Sequence, residues 1–405
     1  MEKFTGLIGI VTLLGIAVLL SNNRKKINLR TVFSGIALQF VLAFFILGTS
    51  FGEPIFRALD NAITTLVSFS DAGSTFLFRS YISETYHPSL ENFAFRTLPT
   101  IIFFSSLISV LYHFGIIQKI VKMFAKIFQK TMFISGTESL SVSGNIFLGQ
   151  TEAPLMVKPF VDKMTKSELM AVMTGGFATA AGGILAIYVS WLSDIPGIAG
   201  HLLTASVMSA PAALVMAKII YPEVEESNTL GDVSIEIEQT TTNAMEALGN
   251  GATTGLKLAA NIAAMLIAFL SFVAMINYLL LFLGTSMEAI FGFLFKPLAW
   301  TMGVPWEEAG ILGTLMGKKI VLTELIAYGD LQQVLAEGLI SERTAIISSY
   351  ALCGFANFGS IGIQLGGIGA MAPNRRGDLA RLVTKAMIGG ALASWLTATI
   401  AGLLL

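Results

Sequence analysis

The sequence predicts an all-α polytopic membrane protein, with eight transmembrane helices, two re-entrant helical hairpins and interfacial helices arranged around an inverted repeat. Three observations predict it. Of 405 residues, 54% are hydrophobic and 13% charged, against about 25% charged in soluble domains, and mean hydropathy is +0.74. Eight stretches lack Asp, Glu, Lys and Arg and reach the roughly 20 residues needed to cross ~30 Å of hydrocarbon. A glycine-rich element also recurs in two stretches that alternation makes antiparallel.

The stretches are residues 4–23, 31–52, 97–118, 169–193, 195–217, 258–287, 344–374 and 386–405. The first reads as a retained helix, because Met1-Glu2-Lys3 is a poor basic leader and no small-residue cleavage pattern follows. Residues 58–78 are apolar but interrupted by Asp60 and Asp71. Lys119, Lys122, Lys126 and Lys130 recur at helical steps among Phe, Ile and Met, which suits either an amphipathic interfacial helix or a basic extension of the third span. Residues 223–246 hold seven acidic residues and no basic one, and read as a flexible cytoplasmic linker between two halves. With the N-terminus outside, 17 of the 25 Lys and Arg residues fall on the inner side, so both termini are expected to face out.

The composition also excludes. A net charge of −1 leaves no electrostatic footprint for nucleic acid. One cysteine, Cys353, and three scattered histidines make disulfide or zinc chemistry a poor reading, and Cys353 and His113 are assigned to packing.

The repeat pairs Gly176-Phe177-Ala178-Thr179 in the fourth span with Gly354-Phe355-Ala356-Asn357 in the seventh. Ser167-Glu168 and Ser341-Glu342 are expected to start the two helices. Each is preceded by a broken apolar segment carrying a carboxylate: residues 139–155 with Glu152 beside Pro154, and residues 309–327 with Glu324. These segments suit hairpins whose non-helical backbone is buried in protein, with half-helix ends offering ion and substrate sites.

A carboxylate in such a segment costs a few kcal/mol unless it is used, which marks Glu152 and Glu324 as site candidates. Asn145, Gln150, Thr151, Thr179, Asn357 and Ser360 are neutral polar groups on apolar helices, each explained equally well as interhelical glue. Their gathering near two carboxylates would suit a neutral solute rich in hydroxyl or amide groups. Glycines 175, 176, 182 and 183 let a helix unwind and expose carbonyls to a monovalent cation, or simply let helices pack closely. Ile184 and Phe355 could line an apolar pocket. An intramembrane acid/base enzyme using the two glutamates lacks a nucleophile motif and gives the repeat no purpose.

Gly149-Gln150-Thr151-Glu152-Ala153-Pro154, Glu324-Leu325-Ile326-Ala327-Tyr328, Cys353-Gly354-Phe355-Ala356-Asn357 and Ala372-Pro373-Asn374-Arg375-Arg376-Gly377-Asp378 resemble signature segments of the bacterial concentrative nucleoside transporters. The similarity runs over essentially the whole chain. The resemblance implies an elevator-type homotrimer in the bacterial inner membrane that imports nucleosides with sodium, or in some members with protons. It implies scaffold helices in residues 1–96, a first hairpin and transport repeat in 97–222, the linker and start of the sixth span in 223–257, and the scaffold sixth span, second hairpin, second repeat and last span in 258–405. Gln150, Thr151 and Glu152 would meet the nucleobase, and Glu324, Asn357 and Ser360 the ribose. Leu258, Ile184 and Phe355 would form an apolar wall. Sodium would be held by the side chains of Asn145 and Thr179 and the carbonyls of Leu148 and Ala180. Thr323 departs from the Asn that family members often show before the glutamate, and Thr179 stands where a Ser is usual in a close bacterial relative.

Overall fold

The computed structural model describes residues 2–49, 52–79, 90, 94–95, 98–227, 229 and 241–405. Half of the expected linker at 223–246, residue 228 and residues 230–240, therefore lies outside the described residues. Helices α1 (Glu2–Leu19) and α2 (Leu29–Gly48) are joined through a turn of 3-10 helix at Arg24–Lys26. Asn28 caps α2 by accepting from the Arg30 N–H at 3.0 Å.

The interrupted segment after α2 is one continuous 27-residue helix, α3 (Gly52–Phe78). One of its acidic residues has a clear purpose: Asp60 Oδ1 accepts from the Gly200 N–H at 3.0 Å. It so supplies the cap that Gly197, at φ 71°, cannot give to helix α10 (Ile198–Ile220).

Helices α4 (Leu98–His113) and α5 (Ile116–Met132) meet at a 77° bend, with Gly115 in the left-handed region at φ 72°. The lysine-rich segment is thus a separate amphipathic helix and no extension of the third span. Ile117, Val121, Ala125, Phe128 and Met132 are buried on one face and the four lysines are exposed on the other.

The first hairpin runs down α6 (Gly136–Gly144), turns at residues 145–152, and returns through a 3-10 segment at Ala153–Val157 and the single turn α7 (Lys158–Val161). The fourth span is broken into α8 (Lys166–Ala178) and α9 (Gly182–Trp191). The expected helix start needs correction here. Thr165 is the cap: its Oγ1 accepts from the Glu168 N–H at 3.1 Å while Glu168 Oε2 accepts from the Thr165 N–H at 2.8 Å, a reciprocal box that needs a three-residue offset.

Helix α11 (Ala244–Leu281) begins well before the expected sixth span, and its 38 residues extend about 57 Å, well beyond the hydrocarbon thickness. Gly251 and Gly255 seat it on α4, where a Cβ at either position would come within 2.7 Å of an α4 backbone atom. Helix α12 (Met287–Thr301) leads into the second hairpin, α13 (Trp306–Val321) and α14 (Glu324–Ala336). Lys318 ties its limbs together through Asp330 at 2.6 Å and also reaches Glu288 at 3.2 Å.

The seventh span is broken into α15 (Glu342–Leu352) and α16 (Phe358–Met371), and α17 (Arg376–Leu404) closes the chain. Ser341 caps α15 as expected, accepting from the Thr344 N–H at 3.3 Å. The two copies of the glycine motif are not in structural register, however. Gly176-Phe177-Ala178 is the last turn of α8, whereas Gly354-Phe355-Ala356 lies in the break itself.

By length and apolarity, five helices in the described residues could cross a bilayer, or six if α4 and α5 count as one bent span. Of the expected eight, α1 is too short for that measure and the seventh is divided at its break. The core lies where α8, α10, α15 and α17 pack together, with Phe177 of α8 and Tyr350 of α15 fully buried there and Tyr188 of α9 and Tyr328 of α14 fully buried beside them.

Candidate functional site

Both hairpin tips and both helix breaks meet at one place. In the first hairpin, Gly149 turns the chain and the Glu152 carboxylate folds over it, into the space a Cβ would take. Glu152 is exposed and makes no side-chain cap for the following 3-10 turn.

In the second hairpin, the two residues Leu322 and Thr323 separate α13 from α14, and Thr323 Oγ1 accepts from the Ile326 N–H at 3.4 Å. Glu324, 4% exposed, is the first residue of α14, where the helix dipole favours a carboxylate. Its Oε1 accepts from the Tyr188 hydroxyl at 3.1 Å and its Oε2 from Asn357 Nδ2 at 2.9 Å. Asn357 is oriented in turn, since it caps α16 with its Oδ1 accepting from the Ser360 N–H at 2.8 Å. Tyr188 stacks on Tyr328 with ring centroids 3.8 Å apart.

The network crosses to the first hairpin. Gln150 Nε2 donates to Ser360 Oγ at 3.1 Å, and Gln150 Oε1 accepts from Gln364 Nε2 at 3.2 Å. Gln364 Nε2 also donates to the Met173 carbonyl at 3.1 Å. The amide of Gln150 is thus held in one orientation by Ser360 and Gln364 of α16, and Gln364 is itself anchored on α8.

A cavity of about 180 Å³ opens beside this network. Gln150, Thr151, Glu152, Ile184, Leu258, Glu324, Phe355, Asn357 and Ser360, all nine residues expected around a substrate, line it. Polar groups gather on the hairpin and break side. The opposite wall is apolar, and it includes Ile262, Leu266 and Phe269, which sequence reasoning missed. Their signal was available, because Leu258, Ile262, Leu266 and Phe269 recur at helical spacing on one face of α11. Thr323 also lines the cavity, and Tyr188 and Gln364 stand behind it. The mark of those last two was a polar side chain inside an apolar span.

The four residues expected around a cation lie at the carbonyl ends of α6 and α8. Asn145 is the C-cap of α6 and Thr179 the C-cap of α8, both buried. A Cβ on Gly175 of α8 would lie 3.4 Å from Asn145 Nδ2, so the two ends are neighbours. Asn145 Nδ2 donates to the Ser141 carbonyl at 3.1 Å while Oδ1 is buried without a partner. Thr179 Oγ1 donates to the Gly175 carbonyl at 3.0 Å, which leaves its lone pairs unspent. Leu148 and Ala180 stand in the adjoining non-helical backbone. Neutral oxygens at two negative helix ends fit a hard monovalent cation.

Residues 201–402 match the family model described as the C-terminus of the Na+ dependent nucleoside transporters, residues 8–81 the corresponding N-terminus, and residues 94–194 a model described as nucleoside recognition. An uncharacterized transporter of Haemophilus influenzae is 42% identical over 100% of this chain and 98% of its own length. Sodium/nucleoside cotransporter 1 of Mus musculus is 41% identical over 100% of this chain, which spans 64% of the mouse protein. The solved structure of CNTnw in an inward-facing substrate-bound state superposes with a TM-score of 0.92 at 41% identity, covering 100% of this chain and 98% of that one. An outward-facing form of a CNTnw variant matches at a TM-score of 0.91 and 40% identity, with the same coverage. The molecule is a multi-pass membrane protein with the fold of an alternating-access transporter. The relatives are transporters and not enzymes, and the chain belongs to the concentrative nucleoside transporter family, whose members carry nucleosides across membranes.

Proposed function

We propose that the protein is a sodium-coupled symporter that imports nucleosides such as uridine, cytidine and adenosine across the bacterial inner membrane. The observation that carries this reading is the single cavity where Gln150 and Glu152 of one hairpin face Glu324 of the other, with Asn357 and Ser360 between them. A carboxylate already oriented by a tyrosine and an asparagine is a strong acceptor for vicinal ribose hydroxyls. The amide of Gln150, with Thr151 and Glu152, offers donors and acceptors to a base edge, and Ile184, Leu258 and Phe355 cover the flat faces of base and sugar.

Sodium is the co-substrate, bound by Asn145 Oδ1, Thr179 Oγ1 and the carbonyls of Leu148 and Ala180. The orphaned Oδ1 supports this choice, and no titratable side chain is needed in the ligand set. Asn145 and Gln150 stand on the same hairpin turn, so ordering that turn around sodium forms the base site, which makes the two ligands cooperative. Each can shift outward and inward states only by its differential affinity for them. In this reading the chain crosses the membrane eight times with both termini outside. The hairpins and broken helices form a transport domain moving as an elevator against scaffold helices that include α11, within a homotrimer.

Uptake of radiolabelled uridine into proteoliposomes tests the proposal. Accumulation above equilibrium with an inward sodium gradient, absent when choline replaces sodium, is the expected result. Uptake driven by protons alone would remove the sodium assignment and keep the nucleoside site, and no uptake of any nucleoside under either gradient would remove both.

A further inference from the structure

Lys319 lies on α13 one turn before the second hairpin's tip, and its side chain is fully buried. Its Nζ donates to the Ala351 carbonyl at 2.9 Å, the Cys353 carbonyl at 2.9 Å and Ser394 Oγ at 2.8 Å. An ammonium has three donors, and all three are used on neutral oxygens. Two of those oxygens belong to the last turn and C-cap of α15, where unspent carbonyls and the helix dipole attract a positive charge.

The corresponding place in the first repeat is built differently. There the C-cap of α8 is Thr179, and the neighbour on the first limb of the hairpin is Asn145, whose Oδ1 has no partner. Each repeat sets the first limb of its hairpin against the carbonyl end of its first half-helix. One limb brings an ammonium to that end, and the other brings only neutral oxygen.

We propose that Lys319 is a tethered cation that takes in the second repeat the place a mobile coupling ion takes in the first, so that the chain carries one coupling cation per nucleoside. This rests on the sodium reading above. Lys319 acts as a positioning residue: its three hydrogen bonds hold the segment between α15 and α16 in the shape that presents Phe355 and Asn357 to the cavity. Because the charge is covalently attached, the second break is ordered at any sodium concentration, while the first is ordered only when the ion is bound. The arrangement makes the first hairpin the sodium-sensitive half of the site.

The test is uridine binding to the purified full-length protein, titrated across sodium concentrations, for the wild type, Lys319→Asn and Lys319→Met. The wild type is expected to show a sodium Hill coefficient of about 1. Lys319→Asn recreates the neutral oxygen of the first repeat and opens space for an ion. Its uridine affinity is expected to fall about tenfold or more at low sodium, to recover as sodium rises, and to show a Hill coefficient of about 2. Lys319→Met fills the space without charge or lone pairs suited to sodium and is expected to stay impaired at every concentration. Recovery of the Asn variant no better than that of the Met variant would overturn the proposal, as would an Asn variant that binds with an unchanged Hill coefficient. Wild-type binding indifferent to sodium would instead remove the coupling reading on which the proposal stands.

Discussion

Gly354 lies against the backbone of Ala178, so that the two helix breaks touch: a Cβ at 354 would fall 2.5 Å from the Ala178 carbonyl oxygen. Its φ of 99° is also in the region that favours glycine. Two independent constraints therefore meet at one residue, on the seam between repeats. Gly354→Ala is expected to lower the melting temperature, because left-handed strain of about 1–3 kcal/mol adds to a clash with backbone that cannot rotate away. Nucleoside uptake is expected to fall with it, since the displaced segment carries Phe355 and Asn357. A variant with wild-type melting and uptake would show that the two breaks do not depend on this contact.

Glu324 accepts one hydrogen bond on each carboxylate oxygen, from Tyr188 and Asn357. Glu324→Gln keeps the shape but turns one acceptor into a donor, which opposes one of those two donors. Loss of a hydrogen bond to a charged group costs about 1.5–3 kcal/mol, so uridine affinity is expected to drop on the order of 10- to 100-fold while size-exclusion behaviour is unchanged. Tyr188→Phe leaves the carboxylate and its bond from Asn357 in place and removes only one orienting donor, so its loss of uridine affinity is expected to be the smaller of the two. Calorimetric titration of both variants checks the order, and a Gln variant binding like the wild type would end the ribose role.

Thr179→Val and Thr179→Ser separate the hydroxyl from the methyl group at the expected sodium site. Val is nearly isosteric but has no oxygen, and the half-saturating sodium concentration for uptake is expected to rise about tenfold or more. Ser keeps the oxygen that donates to Gly175 in the native chain and should stay close to wild type. Equal behaviour of the two variants in a sodium titration of uptake would remove Thr179 from the ligand set.

Much of this was legible in the sequence because the signals were local. Charge-free stretches gave spans, Pro154 and Gly149 marked a turn, and the periodic lysines of α5 gave an amphipathic face. The register of the repeat was not legible. The matching Gly-Phe-Ala letters do different things, packing the last turn of α8 in one copy and forming the break in the other. The start of α8 was misplaced by two residues because Thr165 and Ser167 are both acceptable caps, and the box with Glu168 decides between them. Tyr188, Gln364 and Lys319 were passed over for a different reason. Their partners Glu324, Gln150 and Cys353 lie 136, 214 and 34 residues away in sequence, so their purpose exists only after the helices have packed.

The first hairpin offers a final test of whether backbone geometry at a tip serves stability or binding. A methyl group at Gly149 would occupy the position of the Glu152 carboxylate, and that carboxylate is the far end of an exposed, flexible side chain. Gly149→Ala should therefore move Glu152 and leave the fold in place, with a stability change within about 0.5 kcal/mol. Its cost should appear as lost uridine affinity, close to that of Glu152→Ala. The two substitutions then act on one interaction, so the double variant is expected to bind no worse than either single one, with a coupling energy about equal to the single loss. Additive losses in the cycle would mean that Gly149 contributes through the backbone, independently of where it lets the Glu152 carboxylate sit.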